Sequence, residues 1–226
     1  MRIALRQPPT LLPAAQAFLT DVASASVITA DLPRHAADPA EVRELAGAAA
    51  TRLSAFVVRD RPGVGTLSPA HYAAVLAEAG MTSIVELSCR HRNRVALEGE
   101  IAALADIGVG GVLAVSGREP GASDPVGTHD VFDLDAAALA ALAADAGHLV
   151  LTLDDEVPPG QPQIATVSIR AVTGVTEAAR RAELARRAPG VAGVHLRPVA
   201  GPDDPAGSRA AAMVPDVAAA LGDGAT

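Results

Sequence analysis

The sequence predicts an α/β fold of the TIM-type (βα) barrel class, built as one domain over residues 1–226, with about seven strands against the eight of a full barrel, so that either the barrel is shortened or one strand lacks a clear signal. Three observations carry this reading. Short apolar runs alternate with Ala-rich amphipathic segments along the whole chain, the signature of parallel strands joined by helical crossovers. The runs are continuously apolar and do not alternate with polar residues, as strands covered on both faces should be. The length of 226 residues suits one barrel.

The elements follow in order. ASVITADL (25–32) reads as the first strand, and the helix after it starts with Asp38 as N-cap and Pro39 at its first position. SAFVVRD (54–60) is the second strand. SPAHYAAVLAEAG (68–80) is a helix capped by Ser68 and stopped by Gly80. SIVELSC (83–89) is the third strand, RNRVALEGEIAALADIG (92–108) the next helix, and VGGVLAVSG (109–117) the fourth strand. LDAAALAALAADAG (134–147) is a helix and HLVLTLDD (148–155) the fifth strand. Beyond Glu156 the pattern weakens to a strand at 164–172, a helix at 176–188 capped by Thr176, a strand at 191–199 and a terminal helix interrupted by Pro215.

Composition removes several classes of function. The net charge is −8, which leaves no basic footprint for nucleic acid or anionic lipid. There is no Trp, one Tyr (Tyr72) and three Phe (Phe18, Phe56, Phe132), too few platforms for stacking bases. All 18 basic residues are Arg, so Schiff-base chemistry and a Walker-type phosphate loop are excluded. Cys89 is the one cysteine, which rules out an internal disulfide and a thiolate metal cluster. No segment reads as a signal peptide or membrane span, and the expected location is the cytoplasm.

In such folds chemistry gathers where strands end and βα loops begin. The polar residues there are Asp31 on strand one, Arg59, Asp60 and Arg61 on strand two, and Glu86, Ser88 and the block Cys89 to Asn93 on strand three. Strand four ends in Ser116, Gly117, Arg118 and Glu119, strand five in Asp154, and the last strand carries His195 and Arg197. Glu86 and Ser88 share a face, while Cys89 faces the helices and is expected to be a buried core residue. Arg90, Arg92 and Arg94 form a dense arginine group suited to an anion, because guanidinium pairs with carboxylates and phosphates in a fork. None of the six histidines makes a metal-spaced pair; His91 and His195, at strand ends, are the candidates among them.

ELSCRHRNRVALEGEIAALADIGVGGVLAVSG (86–117) resembles the methylenetetrahydrofolate reductase family, whose members run from a His-Leu-Thr-Cys type strand end, through Arg and Asn, to a Leu-Ala-Leu-x-Gly-Asp strand end. ITADLP (28–33), RDRPGVGTLSPAHYAAVLAEAG (59–80) and VFDLD (131–135) extend the similarity, which covers about residues 25–155. The resemblance implies a barrel that binds FAD and a reduced folate in one-carbon metabolism and transfers hydride. It makes Asp31 the general acid/base. Asp60, Ser88 and Asn93 would position the ligand, and Arg90, Arg92 and Arg118 would meet its anionic groups. Ser116, Gly117, Glu119 and Asp154 complete the candidate site.

The sequence departs from the family where that chemistry lives. Asp31 is one methylene shorter than the family's Glu, Glu86 stands in place of the His, and Arg118 in place of an acid, with Glu119 beside it. One or two βα units are missing between Asp155 and Val191. FAD is therefore expected to bind less tightly than in a typical member. Two further readings stay open: a flavin-independent, non-redox enzyme that acts on a small anion through the carboxylate pair Asp31 and Glu86, and a non-catalytic subunit that pairs with a full-length reductase. A homo- or hetero-oligomer through the shortened barrel edge accompanies these readings. On every reading, Asp31, Glu86, Ser88 and Arg118 should converge on one open end of the barrel.

Overall fold

The computed structural model describes residues 10–24, 27–33, 38–51, 53–60, 67–117, 127, 129–153, 163–169, 175–187, 191–198, 208–213, 215–216 and 219. Among these, seven strands form one sheet: β1 (Thr29–Asp31), β2 (Ala55–Val58), β3 (Ser83–Ser88), β4 (Gly111–Val115), β5 (Val150–Leu153), β6 (Gln163–Ile169) and β7 (Val191–Pro198). They lie side by side in chain order, and each neighbouring pair is parallel. The helices are α1 (Pro13–Ser24), α2 (Pro39–Ala49), α3 (Pro69–Glu78), α4 (Arg94–Ile107), α5 (Ala136–Asp145), α6 (Val175–Arg186) and α7 (Ser208–Ala212). The fold is α/β with parallel βα alternation, a shortened barrel of the expected class. Nine residues separate β5 from β6, fewer than the dozen or more of a usual parallel crossover.

Local chemistry sets the helix starts. The side chain of Asp38 accepts from the Ala40 backbone N–H, and that of Ser68 accepts from His71; Pro39 and Pro69 occupy the first helical positions. Each cap satisfies an N–H that the helix cannot pair internally. Helix α6 begins at Val175, one residue ahead of the expected Thr176 cap. Helix α1 is absent from the sequence-based element list, although Ala15, Phe18 and Val22 carry apolar residues at helical spacing behind Pro13.

The strands are buried on both faces, and the period of two sorts their side chains. Phe56, Val58, Val85, Leu87, Cys89, Val112, Ala114 and Val150 pack with buried residues of α2 to α5. Ala55, Val57, Ile84, Leu113, Val115, Leu149 and Leu151 form a second cluster on the opposite face, completed by Ala15, Phe18 and Val22 of α1. Helix α1 thus fills the inner face. Its entry is fixed by the Leu12 N–H, which donates to the Gly147 carbonyl at 2.8 Å. Gly147 has φ +88, and a Cβ there would lie 2.8 Å from the Thr10 carbonyl oxygen, so both the turn and the close approach require glycine. Burying Phe18 on the inner face is worth roughly 1.5–3 kcal/mol.

His148, in the turn before β5, is completely buried, and its Nε2 donates to the Ile101 carbonyl on α4 at 3.0 Å. That bond leaves Nδ1 unprotonated, and Nδ1 has no hydrogen-bond partner among the described residues. Burial holds the ring below its ordinary pKa of 6.5, against the opposing pull of the Ile101 carbonyl. The unfolded chain therefore binds a proton that the folded chain refuses. The stability that depends on neutral His148 is complete above about pH 6.5 and declines as pH falls below it. Chemical denaturation at about pH 7 and about pH 5 should show that His148→Gln flattens this acid-side loss. An unchanged slope would show that His148 does not contribute to it.

Candidate functional site

Strand register brings the candidate acids together. Asp31 pairs with Val57, Val57 with Ile84, and Glu86 with Leu113. Two residues beyond Val57 and Ile84 on the same face come Arg59 and Glu86, so these polar groups rest directly on the apolar inner cluster. Glu86 must be charged, or hold a proton, at the edge of a hydrocarbon interior.

Arg59 resolves that conflict. Its Nη1 donates to Glu86 Oε2, and its Nε lies 3.2 and 3.1 Å from the two Asp31 oxygens. The Arg59 side chain is 7% exposed and that of Glu86 14%, whereas Asp31 is half exposed at 49%. Burial raises the pKa of Glu86; the Arg59 charge and hydrogen bond oppose it, and the neighbouring acids Asp60 and Asp31 add to the rise. The net shift is upward, so Glu86 holds its proton more firmly than an ordinary carboxylate.

A second ion-paired unit holds the turn between β3 and α4. Asp60 is buried and accepts from the Ser88 backbone N–H at 2.9 Å. Arg92 forks onto it, Nη1 to Oδ2 and Nη2 to Oδ1, the latter at 3.1 Å. His91 Nε2 lies 3.8 Å from Asp60 Oδ1. Arg90 is buried, its N–H donates to Ser88 Oγ at 3.3 Å, and its carbonyl accepts from the Val131 N–H at 2.8 Å. Asn93 caps α4 by accepting from the Ala96 N–H at 2.9 Å. Ser116 accepts from the Ala136 N–H at the start of α5 at 3.1 Å. Gly117 has φ +87, and a Cβ there would collide with Ser88 Oγ and lie 2.9 Å from Arg90 Cβ.

The structure therefore brings Asp31, Asp60, Glu86, Ser88, Arg90, Arg92 and Gly117 to the carboxyl ends of β1 to β4. Asn93 and Ser116 border this rim as anchors for the following helices. Arg118, Glu119 and Asp154 lie outside the described residues, as do the side chains of His195 and Arg197. Cys89 is buried with the helix-facing cluster, where burial first and Asp135 second push its thiol pKa up to about 11. Arg59 is the residue that the sequence reading left out of the site. Its signal was its parity: it continues the inner face of Ala55 and Val57 and so must project beside Glu86.

Asp60 carries the turn. Asp60→Ala would leave the partly buried Arg92 guanidinium with Glu100, 4.0 Å away, and would take the acceptor from the Ser88 N–H, at a cost of about 1–3 kcal/mol. Urea denaturation of the variant checks this, and a loss below about 1 kcal/mol would show that water replaces Asp60 readily.

No family model matches the chain, and no curated protein matches it. Solved structures do resemble it. Oxaloacetate acetylhydrolase in complex with the inhibitor 3,3-difluorooxalacetate has a TM-score of 0.52 at 12% identity, over 89% of this chain and 79% of that one. 2,3-Dimethylmalate lyase, a PEP mutase/isocitrate lyase superfamily member, has 0.46 at 14%, over 95% and 69%. Phosphonopyruvate hydrolase in complex with oxalate and Mg2+ has 0.46 at 14%, over 89% and 68%. At such identities the likeness is one of fold. It corrects the resemblance to methylenetetrahydrofolate reductases, and with it FAD, reduced folate and one-carbon metabolism, since oxaloacetate acetylhydrolase, matched in fold over 89% of this chain, is by name a hydrolase and no reductase. The physical reason lies in the block that suggested it: Arg92 ties down Asp60 and Asn93 caps α4, so these residues answer to the strand-to-helix turn and need no pterin to explain them.

Proposed function

We propose that the rim formed by the carboxyl ends of β1 to β4 is the active site of a flavin-independent, non-redox enzyme acting on a small anion that bears carboxylates. The observation that carries this reading is Glu86, placed above an apolar interior and tied to the buried Arg59 guanidinium, with its pKa raised. A carboxyl group that titrates above the ordinary range is suited to exchanging a proton with substrate. Guanidinium groups meet carboxylates in a fork, and Arg59, Arg90 and Arg92 lie on this one rim.

In this reading Asp31 and Glu86 form the carboxylate pair. Glu86 accepts a proton from carbon or oxygen next to a substrate carbonyl, and Arg59 keeps the ionised form within reach. Asp31, half exposed, faces the entering ligand. Asp60, Ser88 and Gly117 keep the β3 turn in place, and Arg90, Arg92 and Arg118 supply positive charge. The difluorooxalacetate bound by oxaloacetate acetylhydrolase is itself a two-carboxylate anion, and it supports the choice of dicarboxylates as probes.

The test is a panel of oxalate, malonate and oxaloacetate, scored by calorimetric binding and by oxaloacetate consumption. Oxaloacetate should be bound and turned over by the unmodified protein. Glu86→Gln should retain binding while kcat falls by about a hundredfold or more, the usual scale for losing a general base. The fall in activity toward acid should sit above the ordinary carboxylate value of 4.5 in the unmodified protein and vanish in the variant. Unaltered kcat and pH profile in Glu86→Gln would overturn the role of Glu86.

A further inference from the structure

Three acids, Asp31, Asp60 and Glu86, stand at neighbouring strand ends. Such oxygen-rich clusters commonly hold a divalent cation, and magnesium accompanies oxalate in the phosphonopyruvate hydrolase structure. The residues here do not fit one. Among the described residues no three His, Cys, Asp or Glu side chains group so as to hold a metal. Each acid is already matched by a guanidinium: Asp31 and Glu86 by Arg59, and Asp60 by Arg92. A divalent ion would have to enter beside these fixed positive charges and displace them, because Arg does not deprotonate in proteins.

We propose that Arg59 stands in the place of a divalent cation and that its guanidinium receives a carboxylate of a small dianion directly, with Asp31 as the group it displaces. This rests on the reading of the rim as a site for small anions. The two acids bound to Arg59 are held unequally. Glu86 sits at the inner cluster and is only 14% exposed, whereas Asp31, at 49%, can turn into solvent at little cost. The bonds to the protein use Nε and Nη1, and Nη2 has no partner among the described residues. A ligand carboxylate that takes the Nε–Nη2 edge forms the planar two-bond fork for which guanidinium is shaped. Asp31 therefore occupies Arg59 in the resting protein, and the ligand exchanges one of its carboxylates for the Asp31 carboxylate at the guanidinium.

Calorimetry with oxalate and with malonate decides the matter. For the unmodified protein, the dissociation constant should agree within about twofold in EDTA and in millimolar Mg2+. Mg2+ titrated alone should give no binding heat. Asp31→Asn, which removes the competing charge, should tighten oxalate binding by about threefold or more, and Arg59→Lys, which keeps the charge but loses the fork, should weaken it by about tenfold or more. Circular dichroism verifies that both variants are folded. Should Arg59→Lys not fold, the metal comparison and Asp31→Asn still decide. Oxalate binding that appears only with Mg2+, or that weakens in Asp31→Asn, would overturn the proposal and leave the small-anion reading intact. Absence of binding by any dicarboxylate under either condition would overturn both.

Discussion

A buried arginine between two carboxylates governs the arrangement of this end of the molecule. Glu86 lies on the face of β3 that also contributes Ile84 to a hydrocarbon interior, and an isolated carboxylate at that boundary would be expensive to ionise. Arg59, projecting from the adjacent strand in the same direction, supplies the compensating charge and carries a second bond to Asp31 on the next strand. The parallel register makes this possible: Arg59 and Glu86 form one row on the same face of β2 and β3, two residues beyond the level of Asp31, Val57 and Ile84. Shifting β2 or β3 by one residue would turn Arg59 or Glu86 into the helix-facing layer, among leucines and valines.

The remainder of the fold keeps that row in place. Helix α1 fills the inner face below it, so the floor under Glu86 is packed and apolar. On the other side, Asp60 and Arg92 lock the turn after β3, and Gly117 lets the end of β4 close against Ser88 and Arg90. The rim thus consists of fixed charges on strand ends, supported by a turn in which Asp60 accepts from the Ser88 N–H and from Arg92. Sites on rigid elements hold their geometry better than sites on loops, which suits a group whose reactivity depends on being held next to hydrocarbon.

Much of this was legible before any coordinates. The seven strands follow the apolar runs, and Asp38 and Ser68 mark their helix starts, because strand burial and helix capping are local matters written in short windows. The same period-two argument placed Cys89 away from Glu86 and Ser88. Helix α1 was not legible because Pro8, Pro9 and Pro13 break up the segment ahead of it and most of its apolar residues are alanines, although Phe18 anchors the inner face. The site was half visible. Asp31, Glu86, Asp60, Arg59 and the arginine block stood out as polar residues at strand ends, but the pairing among them did not. Which arginine meets which acid depends on inter-strand register, a nonlocal property, and Arg59 became central only when β1, β2 and β3 were laid side by side. The misleading signal was the CRHRNR block, whose spacing resembles a cofactor-binding family while its Arg92 and Asn93 serve the turn itself.

The most direct measurement is a crystal structure of the protein grown with oxalate in the presence of EDTA. Oxalate is expected at the carboxyl ends of β1 to β3, with one carboxylate against the Arg59 guanidinium, Glu86 still bonded to Nη1 and Asp31 turned toward solvent. Oxalate bound away from Arg59, or a rim left unchanged at saturating oxalate with the Asp31–Arg59 pair intact, would contradict it.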